Sequence, residues 1–571
     1  MKLIIREYLS LLKESKEIDR MLPDLLLAMG IEPFSKAQIG VRQYGVDVAA
    51  VGLDEDDVEK LFLYIIKQGD IGRRDWDSNE QAVRQSLDEI KDVYLRHHIR
   101  PEHTNLTKKI VLCTGGDLKQ EIELNWKGYV SRNTVAEKVE YAFWGGDKLA
   151  ILIEKYIFND QLVPVNLRAS IRKTLALIAD PDYDLNDYYS LLEKLLFHTD
   201  FGTKKTTSSK NKIKKTLRLI HLCLNIIFFW SKQEGNLKPA LLAAERTILF
   251  LWDFLRRNKL INSKAFVSIF YETFNTMVNI YSEYFDKLQK HCYIQNGLSS
   301  YGRQFIQESL IIFEQLGIVS LLGLIFLFEG LTRKNEKILK NSQAILDAVK
   351  AIIRNHMVTR SPSFDSHAID ISIAIYLLAN WGEKKFISDW IRETIDHIAF
   401  SYRNMKRYFP IQSDSFDDLV ALNITGSLKK EKLMEMSTLI PILAQWSIVL
   451  GLEKDYQYIR ESVSKVFPNC TLQIWYPDDD TEKYIYSENA ALKSGAVEAP
   501  IELIDSVEEM KHRIKSVQKN TISFNSFSSI KKGFTVIPLI SSRHFRTPFP
   551  PFYWQLTITK NKNSVKKEKE S

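Results

Sequence analysis

Glycine and proline are scarce in this chain of 571 residues, with 23 and 16 residues respectively. Because both residues interrupt helices and mark turns, their scarcity favours large packed cores and a mostly helical protein. Hydrophobic residues make up 45% of the sequence and charged residues 26%, a composition that excludes a disordered or collagen-like chain. At roughly 150 residues per domain, the length predicts three or four domains.

Cysteine is rarer still, with four residues in the whole chain. They are Cys113, Cys223, Cys292 and Cys470, which lie far apart, and none belongs to a CxxC pair or has a histidine at ligand spacing. This distribution argues against a disulfide framework and against a zinc site. We therefore expect a reducing compartment, the cytoplasm.

An excess of one charge is also lacking. Lysine and arginine total 78, and aspartate and glutamate total 71, which leaves a net charge of +7. Over so long a chain this surplus does not by itself indicate nucleic-acid binding, for which a local basic face would be needed.

Long apolar runs are equally rare. The most apolar window covers residues 316–331, is shorter than a membrane-spanning helix requires, and has Glu314 and Glu329 at its edges. We predict a buried core helix there. The N-terminal segment carries charges throughout its apolar pattern, so we expect no signal peptide and no membrane association.

The order of predicted elements divides the chain into four parts. Residues 1–160 alternate strands with helices, which predicts an α/β domain with a central mixed sheet. Residues 165–466 are helical almost throughout and show no repeated signature, so they predict an irregular array that serves as a sensor or scaffold. Residues 467–558 predict a small mixed α/β segment, and the charged tail 559–571 is expected to be disordered. The fold class is therefore α+β, with several domains.

Individual elements follow from local patterns of apolar residues. Strands are predicted over 45–51, 60–67, 109–114, 137–143, 471–476 and 534–540. Helices are predicted over 3–29 with an interruption at Pro23, over 79–95, 147–156 and 508–517. The polar and basic stretch 202–215 is interpreted as an exposed loop.

Two residues with catalytic potential lie on the predicted strands 45–51 and 60–67, which form a hairpin. Asp47 lies just inside one strand, and Lys67 ends the next strand. Adjacent antiparallel strands would set these two side chains side by side at one edge of the sheet. A carboxylate there can hold Mg²⁺, and a nearby ammonium can stabilise a pentacovalent phosphate. The pair predicts an apparatus for hydrolysing a phosphodiester.

The stretch GVD…LYIIKQGDI resembles the core of the PD-(D/E)XK superfamily of restriction-endonuclease-like proteins. The elements that follow agree in order: a helix with QAVRQSLDEI, a strand KIVLCTGGD, and then VEYAFWGGDKLAILIE. The resemblance covers residues 1–160. It implies that Asp47 binds metal, Mg²⁺ or Mn²⁺, and that Lys67 is the catalytic lysine. It also implies an acid on the first helix, for which Asp19 is the best placement and Glu17 or Asp24 are alternatives.

The sequence departs from the family pattern at one position. Ile65 stands two residues before Lys67, where the family has Asp, Glu or Gln. Either Gln68 supplies the missing oxygen from the next position, or the second metal ligand is absent. The first case describes a nuclease with unusual ligands, and the second an inactive core.

Nearby polar residues are candidates for binding the nucleic acid. Gln81 and Arg84 share one face of a predicted helix and can face the site or a phosphate. Arg73 and Arg74, after the strand of Lys67, can contact the backbone of the nucleic acid. An ordinary solvated helix face and an exposed loop are the alternative interpretations.

Two functions remain open on these residues. The first is a metal-dependent endonuclease, acting on DNA rather than RNA, of the kind found as effectors of antiphage defence systems. The second is a catalytically inactive nuclease-like protein that binds DNA or acts as a scaffold, with a protein partner on the helical region. The glycine pairs at Gly115 and Gly145 lack the spacing of a Walker A loop, so we expect no ATP hydrolysis.

Overall fold

The fold is described from a computed structural model of the chain. The described residues are 2–10, 12, 14, 18–35, 44–78, 82–157, 165–180, 183–202, 206–299, 305–426, 428–520 and 522–552. They form two units, Met1–Asn236 and Leu237–Ser571. The predicted boundary near residue 165 thus falls inside the first unit. The α+β class is confirmed, with a mixed sheet near the N-terminus followed by a helical region.

The first unit holds the sheet and the helices around it. Its strands are β1 Glu32–Pro33, β2 Val48–Leu53, β3 Glu59–Lys67, β4 Thr107–Thr114 and β5 Val139–Trp144. Its helices are α1 Lys2–Ser10, α2 Asp19–Met29, α3 Arg73–Asp77, α4 Val83–Glu89, α5 Leu95–His97, α6 Gln120–Asn133, α7 Gly146–Tyr156, α8 Val165–Leu177, α9 Asn186–Phe197 and α10 Thr207–Gln233.

The strands lie in the order β1-β2-β3-β4-β5. The pairs β1–β2 and β2–β3 are antiparallel, and β3–β4 and β4–β5 are parallel. In the β2–β3 pair, Val48 lies opposite Tyr64, so the start of β2 and the end of β3 meet at one edge of the sheet. The predicted strands 45–51, 60–67, 109–114 and 137–143 are confirmed with shifts of a few residues at their ends.

One face of the sheet packs on a hydrophobic core that also includes Ile65, which is 1% exposed. The largest side chains of this core are Trp76, Trp126 and Tyr129. Because side chains alternate between faces along a strand, Ile65 and Lys67 belong to the same face of β3. Position 65, where the family carries an acid, is a core position in this chain.

Helix α1 is anchored close to the sheet edge. Arg6 Nη1 donates a hydrogen bond to the carbonyl oxygen of Gly115 at 2.7 Å and the side chain pairs with Asp117. A Cβ at Gly115 would lie 1.9 Å from the carbonyl oxygen of Leu9, so only glycine allows α1 to approach this turn so closely. The glycine pairs at Gly115 and Gly145 lie in strand-to-helix turns, since α6 follows β4 and α7 follows β5.

The prediction of an exposed loop over 202–215 is wrong from residue 207 onward, because α10 begins at Thr207. The Thr206 side chain caps the helix by accepting a hydrogen bond from the Ser209 amide at 3.2 Å. Ser209 and Ile213 are buried, so the basic side chains lie on the remaining faces of an amphipathic helix. Strand β1 and helices α3 and α6 were not predicted.

At the opposite end of β3 from Lys67, Lys60 is only 3% exposed. Its Nζ donates hydrogen bonds to Asp56 Oδ2 at 2.6 Å, Asp54 Oδ2 at 2.9 Å and Glu140 Oε2 at 2.9 Å. Burial alone would lower the pKa of Lys60, but these three carboxylates raise it above its ordinary value. The network connects the β2–β3 hairpin to β5.

We expect Lys60→Met to lower the free energy of unfolding by about 2–3 kcal/mol, because it leaves Asp56 and Glu140 without their lysine partner, whereas Asp54 keeps Lys109 at 2.6 Å. Urea-induced unfolding of the full chain, followed by tryptophan fluorescence, measures the loss. The matched control is Lys148→Met, since Lys148 pairs with exposed Glu55 at 2.7 Å and such pairs contribute at most about 1 kcal/mol. Equal effects of the two substitutions would contradict the role given to Lys60.

The second unit is helical with short strands. Its helices are α11 Lys238–Arg257, α12 Lys264–Cys292, α13 Phe305–Arg333, α14 Glu336–Asn355, α15 Ala368–Asn380, α16 Lys384–Phe400, α17 Phe416–Val420, α18 Lys430–Leu433, α19 Leu439–Leu450, α20 Glu453–Val466, α21 Thr481–Tyr484, α22 Ala490–Lys493, α23 Val507–Asn520, α24 Ser528–Lys531 and α25 Ile537–His544. Its strands are β6 Met436–Ser437, β7 Thr471–Leu472, β8 Ile474–Tyr476 and β9 Ala496–Glu498.

The strand predicted over 534–540 is wrong, because α25 begins at Ile537. A short continuous apolar run does not distinguish a strand from a buried helix by periodicity. Pro538 lies in the first turn of α25, where its missing amide hydrogen costs nothing, whereas in a strand it would remove a hydrogen bond. The predicted strand 471–476 is present as two short strands, β7 and β8, with different partners.

Helix α25 is held by buried charges. Arg543 Nε and His544 Nδ1 lie 3.0 and 2.9 Å from the carboxylate of Glu245, which is fully buried on α11. Burial would raise the pKa of Glu245, but Arg543 and His544 lower it to about 2. The segment around His544 is therefore a packing element of the second unit.

One described helix, Ile306–Arg333, is long and apolar enough to cross a membrane, and 78% of its most apolar window is buried inside the structure. Length and composition of one such helix are weak evidence for a span. The window 316–331 lies within this helix, in the environment expected of a core helix.

Candidate metal centre

Asp47 and Lys67 lie at the same edge of the sheet. Asp47 directly precedes β2, and its amide donates a hydrogen bond to the carbonyl oxygen of Tyr64 at 2.9 Å. Lys67 is the last residue of β3. The Ile66 amide donates a hydrogen bond to Asp47 Oδ2 at 2.7 Å. This bond holds the carboxylate against the end of β3, next to Lys67, and the two charged groups interact electrostatically.

Two further carboxylates belong to this cluster. Glu14 lies between α1 and α2, and Asp19 is the first residue of α2. Burial raises the pKa of Asp47, the Ile66 amide and Lys67 oppose this shift, and the negative charges of Glu14 and Asp19 add to it, so that the pKa is about 6. Burial also raises the pKa of Glu14, with Lys67 lowering it and Asp19 raising it. We name Glu14, Asp19, Asp47 and Lys67 the edge cluster.

The edge cluster contains more acceptors than donors. The buried oxygen Oδ1 of Asp19 has no hydrogen-bond partner among the described residues. Buried polar atoms normally have a partner, and among the described residues of the cluster three partly buried carboxylates face one ammonium, that of Lys67. Mg²⁺ and Mn²⁺ take oxygen ligands of this kind and usually keep several waters, so the residues fit a divalent cation.

The sequence prediction located part of this cluster. Asp19, the preferred first-helix acid, lies in it, whereas the alternative Asp24 pairs with Arg218 at 3.1 Å. Glu17 lies outside the described residues. Gln68 follows Lys67 and is exposed. Glu14 was missed: it lies within the predicted helix 3–29 but only its charge marked it, and in the structure it lies between α1 and α2.

The predicted nucleic-acid contacts are less well placed. Arg73 and Arg74 are exposed on α3, and Gln81 lies outside the described residues. Arg84 pairs with Asp77 at 3.5 Å and lines an open groove of about 590 Å³. The other charged residues lining this groove are acidic: Asp77, Asp88, Glu89 and Asp92. Such a groove repels phosphate, so Arg84 does not form part of a basic face.

Chemically, the edge cluster combines oxygen ligands for one or more cations with a fixed positive charge beside them. Asp47, Asp19 and Glu14 supply the oxygens. Lys67 can neutralise charge that develops on a substrate oxygen bound at the same place. This arrangement suits hydrolysis of a phosphodiester and equally suits simple binding of a cation.

Comparisons of the chain with protein-family models, with curated proteins and with solved structures found no match. The resemblance drawn from the sequence motifs therefore stands on the residues of this chain alone.

The raised pKa of Asp47 predicts a pH-dependent cost to folding. The folded carboxyl keeps its proton up to about pH 6, whereas an unfolded one loses it near the ordinary value of 3.8. The protonated carboxyl therefore contributes its full stability below pH 3.8, the ordinary pKa. This contribution is lost as the pH rises through the pKa of the folded state, about 6. The loss amounts to at most about 3 kcal/mol.

We expect Asp47→Asn, which mimics the protonated form, to melt at an increasingly higher temperature than the parent chain as the pH rises from about 4 to 7. Differential scanning calorimetry without divalent ions measures this difference. Asp57→Asn is the control, because Asp57 is exposed at the far end of the same hairpin. A difference that stays constant with pH would show that the Asp47 carboxyl titrates normally.

Proposed function

We propose that this protein is a metal-dependent nuclease whose active site is the edge cluster, with a first unit of the restriction-endonuclease-like type. The observation that carries the proposal is the placement of Asp47 beside Lys67, with Glu14 and Asp19 adding carboxylates at the same edge. Metal-dependent phosphodiester hydrolysis combines oxygen ligands for a cation with a positive charge near the phosphate, and the carboxylates and Lys67 of the edge cluster are candidates for these two parts.

The arrangement of strands also supports this proposal. The antiparallel hairpin β2–β3 followed by the parallel strand β4 agrees with the order of elements on which the resemblance rests. Helix α2, which carries Asp19, precedes the hairpin in sequence.

Each residue of the edge cluster has a distinct role in the proposed reaction. Asp47, Asp19 and Glu14 hold the divalent ion, which when bound activates a water molecule and polarises the phosphate. The Ile66 amide fixes the orientation of Asp47. Lys67 stabilises negative charge on the attacked phosphate. Since Ile65 is a core residue, Glu14 takes the place of the acid that the family carries two residues before the lysine.

We further propose that the substrate is DNA, that the protein acts in the cytoplasm, and that the helical second unit senses a signal or holds a protein partner, as in an antiphage effector. These proposals rest on the resemblance and on the cysteine content. They do not follow from the geometry of the edge cluster.

We expect the purified full chain to cut plasmid and linear DNA in the presence of Mg²⁺ or Mn²⁺, and single-stranded RNA poorly. Asp47→Asn, Asp19→Asn, Glu14→Gln and Lys67→Met should each reduce the cleavage rate by about 100-fold or more, because each removes a charge that acts on the transition state. Controls are Asp57→Asn and Lys127→Met, both at exposed positions of the first unit.

A second measurement separates the two roles. Calorimetric titration with Mn²⁺ should show weaker binding for Asp47→Asn but undiminished binding for Lys67→Met, because only the carboxylate is a ligand. If cleavage persists in both variants, the edge cluster is not the active site.

An inactive binding module is the second candidate, and Ile65 favours it. With a core residue at the acid position, the cluster can bind a cation without reaching full activity. This candidate predicts DNA binding that weakens as salt increases and no cleavage at any metal concentration.

A further inference from the structure

The second unit contains a cavity of about 670 Å³, a volume typical of small-molecule sites. It lies beside α16, between the turn Met357–Arg360 and the π-helical turn Ser401–Met405. Its apolar wall includes Met357, Phe400, Met405 and Tyr408, and its polar groups include Asp396 and His397.

The apolar wall is exposed to an unusual extent. Phe400 is 58% exposed, Met357 53% and Met405 42%. Single exposed apolar side chains are common on protein surfaces, whereas several of them grouped around one cavity are typical of a binding site. A wall of methionine and aromatic side chains favours a ligand with a flat, polarisable ring. The aromatic side chains stack on such a ring, and the thioether sulfur atoms pack against it.

The polar groups offer a donor next to an acceptor. Burial lowers the pKa of His397, and Arg360 lowers it further, so the imidazole is neutral at pH 7. Ser361 Oγ lies 3.2 Å from His397 Nδ1; with the hydroxyl donating to Nδ1, Nε2 carries the proton and is a donor. Asp396 is an acceptor, and the Tyr458 hydroxyl donates to its Oδ1.

Positively charged residues are close in sequence to the residues that line the cavity. Arg403, Lys406 and Arg407 alternate in sequence with the lining residues and are exposed. Among the described residues none of the three forms an ion pair with a carboxylate within 4.0 Å. The guanidinium of Arg407 lies 5.0 Å from the centre of the Tyr408 ring. Each of the three lies within two residues of the lining residues Met405 or Tyr408 in sequence, so an anionic group on a bound ligand can pair with them.

We propose that this cavity binds a nucleoside phosphate. The base stacks on Phe400 and Tyr408, its edge pairs with Asp396 and His397, and its phosphate is held by Arg403, Lys406 and Arg407. On its Watson–Crick edge every nucleobase presents a donor beside an acceptor, which complements this pair. A fatty acid would satisfy the apolar wall and the cations but would make no hydrogen bond with the adjacent donor and acceptor, His397 Nε2 and the Asp396 carboxylate. The site is independent of the proposed nuclease activity.

The test is calorimetric titration of the full chain with AMP, GMP, CMP and UMP, with ribose 5-phosphate, and with laurate. We expect at least one nucleotide to bind with one site per chain and at least about tenfold more tightly than both comparison ligands, since stacking of one base contributes on that scale. A short single-stranded oligonucleotide, titrated in parallel, distinguishes a free nucleotide from the end of a strand.

Substitutions then locate the site. Phe400→Ala, Asp396→Ala and the double change Arg403→Ser with Lys406→Ser should each weaken binding of the best nucleotide about tenfold or more. Matched controls are Phe416→Ala, which is 41% exposed, Asp389→Ala on the same helix α16, and Lys385→Ser. All positions are exposed, so folding should be retained, and calorimetric melting verifies this.

The proposal is overturned if no nucleotide binds more tightly than ribose 5-phosphate, or if laurate binds and nucleotides do not. It is also overturned if nucleotide binding survives all three cavity substitutions. Tighter binding of the oligonucleotide that is lost on the same substitutions would retain the nucleoside phosphate as the recognised group and assign it to a strand.

Discussion

The hydrogen bond from the Ile66 amide to the Asp47 carboxylate is the contact on which the edge cluster depends. It joins the start of β2 to the end of β3 across the antiparallel pair. Without it, the carboxylate would turn to solvent and its burial against Lys67 would be lost. Because the bond uses a backbone donor, the position of Asp47 is determined by the register of the hairpin.

Strand β3 carries a lysine at each end, and the two contrast in their surroundings. Lys60 is enclosed by three carboxylates that all accept hydrogen bonds from it, which is the pattern of a structural ion-pair network. Lys67 lies near three carboxylates as well, yet Asp19 Oδ1 has no partner among the described residues and the pKa of Asp47 is raised. At the first end every one of these carboxylates accepts a hydrogen bond from a lysine, and Asp54 accepts a second one from Lys109 at 2.6 Å. At the second end a buried carboxylate oxygen is left that a cation would contact.

The two units carry different kinds of site. In the first, charge is concentrated by a sheet edge and burial opposes ionisation of the carboxylates. In the second, the cavity beside α16 is formed by apolar side chains that remain exposed, with a neutral histidine and cations around it. The first suits a metal ion and a phosphodiester, and the second suits a small anionic ligand with a flat ring.

Local sequence patterns were sufficient for the strands, for the hairpin and for the meeting of Asp47 with Lys67, because these depend on short-range periodicity and on a connection of a few residues. They were insufficient for Glu14, for the start of α10 and for α25. Glu14 approaches Asp47 only because α1 and α2 pack against the sheet, and the cavity combines residues more than 50 positions apart (357 to 408). Periodicity reports which face of an element is apolar, whereas packing between distant elements decides which charged groups share one low-dielectric site.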